Sequence, residues 1–250
     1  HDDEAARAMG FKGAVVPGVT VYGYVTQLLM ECYGNHWLSD GDCHVRFRQP
    51  VFANEEIHLK ATERGDVVDV TVENSAGVLT AIAAGSINRA AVPAFSPSGV
   101  LATQSPPNNR SDSGDKWPPV AAAFRREKVL RSLIAEIAPD DHHSFCAEMK
   151  DQRSVYTTAI HPAWLLRQAN IVVDKNFDLG AWIHTESEIA NLEMAPVGKP
   201  LEIRAQVIDL FTRKHNEYVD LDVQIVVAGA PDRPILRALH RAIYRPALSI

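Results

Sequence analysis

Two stretches of the chain carry apolar residues at the spacing of a buried helix. The first covers residues 19–33 and follows Pro17-Gly18. Its apolar stripe consists of Val21, Tyr24, Val25, Leu28, Leu29 and Cys32. The second covers residues 163–173 and follows His161-Pro162, and its stripe consists of Leu165, Leu166, Ala169, Val172 and Val173. Apolar residues off the first stripe, including Val19 and Tyr22, indicate that this helix is enclosed on most of its sides.

Alternating apolar and polar positions follow each helix and predict β-strands. After the first helix the alternation covers residues 57–62 and 68–73, and after the second it covers residues 201–207 and 219–227. Because apolar residues occupy every second position, we expect each strand to bury one face.

The two halves repeat each other in the same order. Pro17 matches Pro162, residues 50–51 match residues 196–197 (both Pro-Val), and residues 68–70 match residues 219–221. The sequence offset grows by small steps, as loop insertions would produce. The repeat predicts a duplicated α+β module, in which each copy is an antiparallel sheet curled around one long helix, and therefore a double hot-dog fold. Pairing of the two open sheet edges would keep the copies together.

Residues 91–119 interrupt the pattern. They include six prolines, with Ser, Asn and Gly between them, and such a composition buries too little apolar surface to offset the entropy of ordering. We therefore predict an N-terminal module at residues 1–90, a linker at 91–119 and a C-terminal module at 120–250. A helical stretch over about residues 121–137 should open the second module.

Composition narrows the classes of function. The 250 residues are 46% hydrophobic with a formal net charge of −6, so bulk charge favours no nucleic-acid partner. No apolar run approaches the roughly 20 residues that span a bilayer, so we expect no membrane partner. Cys32, Cys43 and Cys146 fit neither a CxxC nor a zinc spacing, which indicates free thiols and a cytoplasmic location. Because the sequence begins at His1 rather than Met, we expect upstream residues to have been lost by processing or truncation.

The first eighteen residues carry a recognisable motif. The matching positions are His1, Asp3, Ala6, Gly10, Phe11 and Gly18. They resemble the MaoC-like family of (R)-specific enoyl-CoA hydratases and dehydratases in the hot-dog superfamily, and residues 45–51 resemble that family's strand and Pro-Val turn. The catalytic Asp of the family lies ahead of the position of His1, and its His-Gly at the central helix is Pro17-Gly18 here.

The resemblance implies syn hydration of a trans-2-enoyl thioester, or the reverse dehydration. His1 would be the catalytic base that activates water and handles the proton at C2. The thioester carbonyl would accept hydrogen bonds at the start of the first helix, where Pro17, Gly18, Val19 and Tyr22 are the predicted substrate-binding residues. The absent side chain of Gly18 would permit close approach.

The same resemblance sets the expected ligands. The substrate would be an acyl-CoA or acyl-carrier thioester, with coenzyme A as part of the substrate, no other cofactor and no metal. A homodimer of double hot-dogs is a further expectation. The second half lacks the opening motif, so we expect it to be a degenerate module that shapes the acyl or pantetheine channel.

Several other polar residues are open to two interpretations. Asp2 and Asp3 are interpreted as helix-capping acids rather than catalysts, and His161 as a helix-entry residue rather than a catalyst. Arg213-Lys214, at an expected hairpin, are either solvated turn residues or contacts to coenzyme A phosphates. His215 and His240 are interpreted as turn and strand residues without chemistry.

The run at residues 182–188 is the remaining candidate. Simple alternation places His184, Glu186 and Glu188 on one face of a strand, apart from Ile183, Thr185 and Ser187. We interpret that face as an exposed one with salt links, and an acid/base or metal site as the alternative.

Two other functions compete with the hydratase. A hot-dog thioesterase resembles enzymes that use a carboxylate on or beside the central helix. Here the first helix has none until Glu31 and the second none until Asp174, so thioesterase ranks below hydratase. A non-catalytic acyl-thioester-binding protein is the third hypothesis.

Overall fold

A computed structural model describes residues 13–88, 115–230 and 233–247. The helices are α1 (Gly18–Tyr33), α2 (Trp37–Asp40), α3 (Ala121–Arg126), α4 (Pro139–Glu148) and α5 (Pro162–Asn176), with 3-10 turns at Gly34–His36 and Ser154–Thr157. The strands are β1 (Asp42–Phe47), β2 (Ile57–Arg64), β3 (Val67–Asn74), β4 (Leu79–Ser86), β5 (Leu133–Ala135), β6 (Ile183–Asn191), β7 (Leu201–Arg213), β8 (Asn216–Val227) and β9 (Pro234–Arg245).

The nine strands of the described residues form one sheet in the order β2-β3-β4-β1-β6-β9-β8-β7-β5. The two modules meet where β1 pairs antiparallel with β6, with Val45 opposite Ser187. Each module therefore closes one open edge of the other, which leaves fewer backbone groups unpaired. The helix followed by four strands occurs twice in the described chain, and the predicted double hot-dog fold is confirmed.

The two long helices pack against the sheet and against each other. In α1, Leu29 is fully buried and covers Gly85 of β4, where an added Cβ would come within 2.5 Å of Leu29 Cδ2. Between the helices, a Cβ on Gly23 would lie 2.9 Å from Cβ of Ala163 and 2.2 Å from Cε of Met149. This close contact requires glycine. It also confirms that α1 is enclosed on most of its sides, which the apolar residues off its stripe predicted.

The prediction of one buried face per strand holds for β2 and fails for β8. Exposure alternates along residues 57–62, whereas residues 219–226 are buried at every position. The two acidic residues in this stretch of β8 are paired rather than solvated: Arg241 contacts Asp220 at 2.6 Å and Arg237 contacts Asp222 at 3.3 Å. Ion pairs of this kind make burial of the acidic side chains tolerable.

The predicted helical stretch over residues 121–137 is wrong beyond Arg126. After α3 the chain extends along β7, with the N–H of Leu130 donating to the carbonyl oxygen of Ala205 at 3.0 Å. It then forms β5, which caps the sheet edge. Pairing with an otherwise open edge overrides the helical preference of the local sequence. The predicted linker lies mostly outside the described residues, and the module boundaries stay predictions.

Candidate functional site

The start of α1 is held in place by the loop between β1 and β2. The N–H of Val16 donates to the carbonyl oxygen of Val51 at 2.8 Å, and Val15 forms an antiparallel bridge with Phe52. Pro17 is the N-cap residue, with an extended backbone (φ −57°, ψ 140°). The Pro-Val turn singled out in the sequence therefore positions the helix start.

The first turn of α1 presents backbone donors without acceptors. No side chain in the described part of the chain caps this helix. The N–H groups of Thr20 and Val21 turn back to the carbonyl oxygen of Pro17, whereas those of Gly18 and Val19 have no partner among the described residues. Together with the positive end of the helix dipole, these two groups can bind a ligand oxygen.

Gly18 makes room for two aromatic rings. A Cβ at this position would lie 3.1 Å from Nδ1 of His184 and 3.1 Å from Cε2 of Phe47. The two rings meet edge to face, with centroids 4.7 Å apart. Phe47 ends β1 and His184 belongs to β6, so the start of α1 is bordered by both modules.

The other predicted site residues lie at increasing depth. Val19 is 5% exposed, and Tyr22 is completely buried one turn further along α1. The hydroxyl of Tyr22 has no hydrogen-bond partner among the described residues. Burial, with smaller effects of Cys43 and Tyr156, raises the pKa of Tyr22 well above its usual value, so the phenol stays protonated. The substrate-binding roles of Pro17, Gly18, Val19 and Tyr22 stay predictions.

The catalytic candidate of the motif is His1. His1 lies outside the described residues, as do Asp2 and Asp3. Its catalytic role and the capping interpretation of the two aspartates therefore stay predictions.

The start of α5 is closed by its own side chains. Nδ1 of His161 accepts a hydrogen bond from the N–H of Ala163 at 3.1 Å, which caps the helix. The N–H of His161 itself donates to Nε2 of His142 at 2.9 Å. Pro162 at the first helical position has no N–H to satisfy. The position of His161 is that of a helix-entry residue, as its interpretation expected.

Charged side chains surround the capped start of α5. Asp151, almost fully buried, lies 2.5 Å from Nη1 of Arg153 and 3.5 Å from Nε2 of His161. Burial alone would raise the pKa of Asp151, but the His161 contact and the Arg153 charge outweigh it and lower the pKa. Burial raises the pKa of Cys146 to about 11, with a smaller contribution from the negative charge of Asp151. Cys146 is therefore a protonated thiol, not an activated nucleophile.

The predicted grouping of His184, Glu186 and Glu188 on one strand face is wrong. The register of β6 against β9 shifts between His184 and Glu186, which makes Thr185 the extra residue of a β-bulge. His184 consequently turns to the helix side of the sheet. Glu186 stays on the outer face, with Nε2 of His44 at 2.7 Å and Nη1 of Arg241 at 3.2 Å. Salt links were predicted correctly there, but Glu186 is buried rather than exposed.

A chain of buried polar side chains continues from His184 into the C-terminal module. Nε2 of His184 lies 2.8 Å from Oγ of Ser187, which lies 2.9 Å from Nδ1 of His240. Nε2 of His240 lies 3.0 Å from Oδ1 of Asn170 on α5, and the same oxygen accepts the indole N–H of Trp182 at 2.8 Å. Alternation along the sequence could not reveal this chain, because the bulge that creates it depends on pairing with β9.

The remaining candidates are at the surface or unsupported. Lys214 and His215 form the β7–β8 turn with positive φ angles of 48° and 64°, and Arg213 ends β7, so the predicted hairpin is confirmed. Within the described ranges, no group of three or more His, Cys, Asp or Glu residues is arranged to hold a metal ion. No helix in the same ranges is long and apolar enough to cross a membrane.

One protein-family model matches the first part of the chain. Residues 1–84 match the protein-family model described as "MaoC like domain". No curated protein sequence matches the chain significantly. The predicted MaoC-like resemblance is thus confirmed, while the (R)-specific hydratase subtype stays a prediction.

Solved structures share the fold over nearly the whole chain. One is a MaoC-like dehydratase (12% identity, covering 98% of this chain and 88% of that one, TM-score 0.60). Another, from Chloroflexus aurantiacus, is described as a MaoC domain protein dehydratase (10% identity, 98% and 86%, TM-score 0.62). A Mycobacterium tuberculosis protein with a double hotdog fold is similar too (14% identity, 97% and 86%, TM-score 0.59). At these identities the likeness establishes the fold.

Proposed function

Because residues 1–84 match the MaoC-like domain model and the chain has a double hot-dog fold, we propose that the protein is a hydro-lyase acting on acyl thioesters. It adds water to a 2-enoyl thioester of coenzyme A or a carrier protein, or removes water from the 3-hydroxyacyl thioester. His1 is the base and the start of α1 holds the thioester carbonyl. The homodimeric assembly and the cytoplasmic location stay predictions.

One observation carries this proposal: the two central helices begin differently. α5 is capped by His161 and closed by Pro162, so its first backbone donors are occupied or absent. α1 has no side-chain cap among the described residues, and its Gly18 and Val19 N–H groups point to no described acceptor. Two free donors at a positive helix end match the oxygen of an enolate, on which negative charge develops during addition.

The proposed step conserves atoms and charge. The water oxygen forms a bond to C3 while His1 takes one of its protons. The π electrons of the C2=C3 bond move toward the thioester carbonyl, and the resulting enolate oxygen accepts hydrogen bonds from the N–H groups of Gly18 and Val19. The proton is then delivered to C2, and the product oxygen keeps the second water proton. Positioned acid–base transfer of this kind typically accelerates a reaction by roughly 10²–10⁴-fold.

The experiment is an assay of the full-length protein with crotonyl-CoA and longer or branched enoyl-CoAs. We expect loss of the enoyl thioester absorbance, with 3-hydroxyacyl-CoA as product, and gain of that absorbance when 3-hydroxybutyryl-CoA is supplied. Free thiol is measured in the same samples.

The readouts separate the competing functions. Thiol release without hydration would replace the proposal by a thioesterase. Saturable binding of the thioesters with neither reaction would replace it by a non-catalytic binding protein, and absence of both binding and turnover would remove the acyl-thioester assignment.

A further inference from the structure

The C-terminal module extends one histidine to the start of the N-terminal helix. We propose that His184 is a second functional residue of the α1 site, whose Nδ1 accepts a hydrogen bond from the reacting oxygen. That oxygen is the water in the hydration direction and the 3-hydroxyl in the dehydration direction. The inference rests on the proposed function, because it deepens the same site.

The hydrogen-bonded chain fixes which nitrogen of each histidine carries the proton. The indole N–H of Trp182 can only donate, so the Asn170 atom that it contacts is the carbonyl oxygen. Nε2 of His240 contacts that same oxygen and must therefore donate to it. Nδ1 of His240 is then an acceptor, and it accepts a hydrogen bond from the hydroxyl of Ser187.

The same reasoning continues to the end of the chain. The only proton of the Ser187 hydroxyl is engaged in the hydrogen bond to His240, so its oxygen accepts a hydrogen bond from the N–H at Nε2 of His184. The remaining nitrogen of His184, Nδ1, must carry a lone pair. A hydrogen-bonding partner on one ring nitrogen thus sets the state of the other.

Both rings are held neutral by their surroundings. Burial lowers the pKa of His240 to about 3. Burial and the neighbouring His240 lower the pKa of His184 well below its usual value, against a smaller contribution of the Glu186 backbone. The neutral tautomers deduced from the contacts are therefore the ones present near neutral pH.

Nδ1 of His184 has no hydrogen-bond partner within the described part of the chain and is shielded from water. An unsatisfied buried acceptor costs about 1–3 kcal/mol, so a partner that arrives with the ligand would recover that cost. Nδ1 faces the start of α1, 3.1 Å from where a Cβ of Gly18 would lie. That is the turn whose N–H groups receive the carbonyl in the proposed function.

A hydroxyl proton is the donor that fits this acceptor. Of the two protons of the reacting water, His1 takes one and the oxygen keeps the other. The retained proton can donate to Nδ1 of His184 throughout, because the product hydroxyl still carries it. The histidine thus orients the oxygen without competing with His1 for the transferred proton.

The test compares two ligands that differ only in this hydroxyl. Calorimetry measures the binding of 3-hydroxybutyryl-CoA and butyryl-CoA to the full-length protein and to His184→Phe, which keeps a ring against Phe47. Since one hydrogen bond contributes modestly, the wild type should prefer the hydroxylated ligand by about fivefold. His184→Phe should lose the preference while it binds butyryl-CoA as before, and His58→Phe, at an exposed histidine on β2, is the matched control.

A second measurement does not depend on the variant. Nitrogen-15 spectra of the histidine side chains should show His184 protonated at Nε2 and bare at Nδ1. The Nδ1 signal should move toward the protonated position with 3-hydroxybutyryl-CoA and not with butyryl-CoA.

If His184→Phe does not fold, Ser187→Ala replaces it. That change should lower the preference and allow the second tautomer to appear.

The outcomes are distinguishable. If neither thioester binds to the wild type, the proposed function fails and this inference fails with it. If both bind but the preference is absent, or is unchanged in His184→Phe, the inference alone is overturned. A proton on Nδ1 of His184 in the free protein would overturn it too.

Discussion

The two modules share a scaffold and differ in the polar groups at the start of their central helices. α1 begins with uncapped backbone donors against Phe47 and His184. α5 begins under the side chain of His161, with Asp151 and His142 behind it. The difference shows how a duplicated fold can leave the backbone donors of one helix start available to a ligand, while side chains of the protein occupy those of the other. A capped helix end has little to offer a substrate oxygen.

The modules differ also in the outer face of the sheet. In the N-terminal half, Arg64 and Asp69 pair across β2 and β3 as exposed side chains. In the C-terminal half, Arg241 joins Asp220 and Glu186 under cover. The second module therefore has the more enclosed sheet, and its helix side supports His184 through Ser187 and His240.

The largest expected effect tests the asymmetry of the two helix starts. We expect His1→Gln to lower kcat by roughly 10²–10⁴-fold, because it removes the general base. His161→Gln removes a helix cap and should cost about 1 kcal/mol of stability, with turnover per folded molecule unchanged. Turnover of purified variants is compared after circular dichroism confirms folding. An equal loss of kcat in a folded His161→Gln protein would place catalysis in both modules.

The contact between the helices gives the next largest effect. Gly23→Val would drive a side chain into Met149 and Ala163, and overpacking of this kind costs about 3 kcal/mol. Gly180→Ala is the control, since an added Cβ there meets nothing within 4 Å. Denaturant unfolding measures both. A change below about 0.5 kcal/mol for Gly23→Val, the scale of ordinary surface substitutions, would contradict the close packing of α1 against α5.

The ion pairs of two arginines on the outer face of the sheet give a further comparison of the modules. Arg241→Met leaves Asp220 and Glu186 without this partner in a partly buried position and should cost about 2–3 kcal/mol. Arg64→Met removes an exposed pair and should cost less than about 1 kcal/mol. Equal costs in thermal or denaturant unfolding would show that the sheet faces of the two modules are equally solvated.

Much of the scaffold could be predicted from the sequence, because it depends on local periodicity. The helical stripes predicted starts at residues 19 and 163, and the helices begin at Gly18 and Pro162. The repeat predicted the joined sheet. By contrast, the extended segment after α3 depends on the open edge of β7, which residues 121–137 do not encode by themselves.

The candidate site was predictable only where the motif is contiguous. Gly18 and Val19 follow from the motif itself, because they begin the helix. His184 does not, because a bulge at Thr185 reverses its face and the bulge is set by pairing with β9. The burial of Asp220 and Asp222 escaped prediction for a similar reason: alternation marks the polar face but not whether partners cover it.

The smallest expected effect is the pH dependence of stability that the buried histidines of the second module cause. Burial lowers the folded pKa of His240 to about 3, against about 6.5 in the unfolded chain. Below pH 6.5 the unfolded chain takes up a proton that folded His240 does not. The free energy of unfolding is therefore highest above that pH and falls as the pH drops toward 3, by up to about 1.4 kcal/mol per pH unit for each such histidine.

The lowered pKa of His184 acts in the same direction, so the slope should be largest while the chain from His184 to Asn170 is intact. Urea unfolding between pH 6.5 and 5 measures it in a window above the range where most carboxylates titrate. His240→Gln should reduce the mean slope over this window by about 1 kcal/mol per pH unit, whereas His58→Gln, at an exposed position on β2, should retain the wild-type slope. An unchanged slope in His240→Gln would mean that His240 is not held neutral in the folded protein. Because the tautomer of His184 was deduced from a neutral His240, that result would also remove the lone pair assigned to the α1 site.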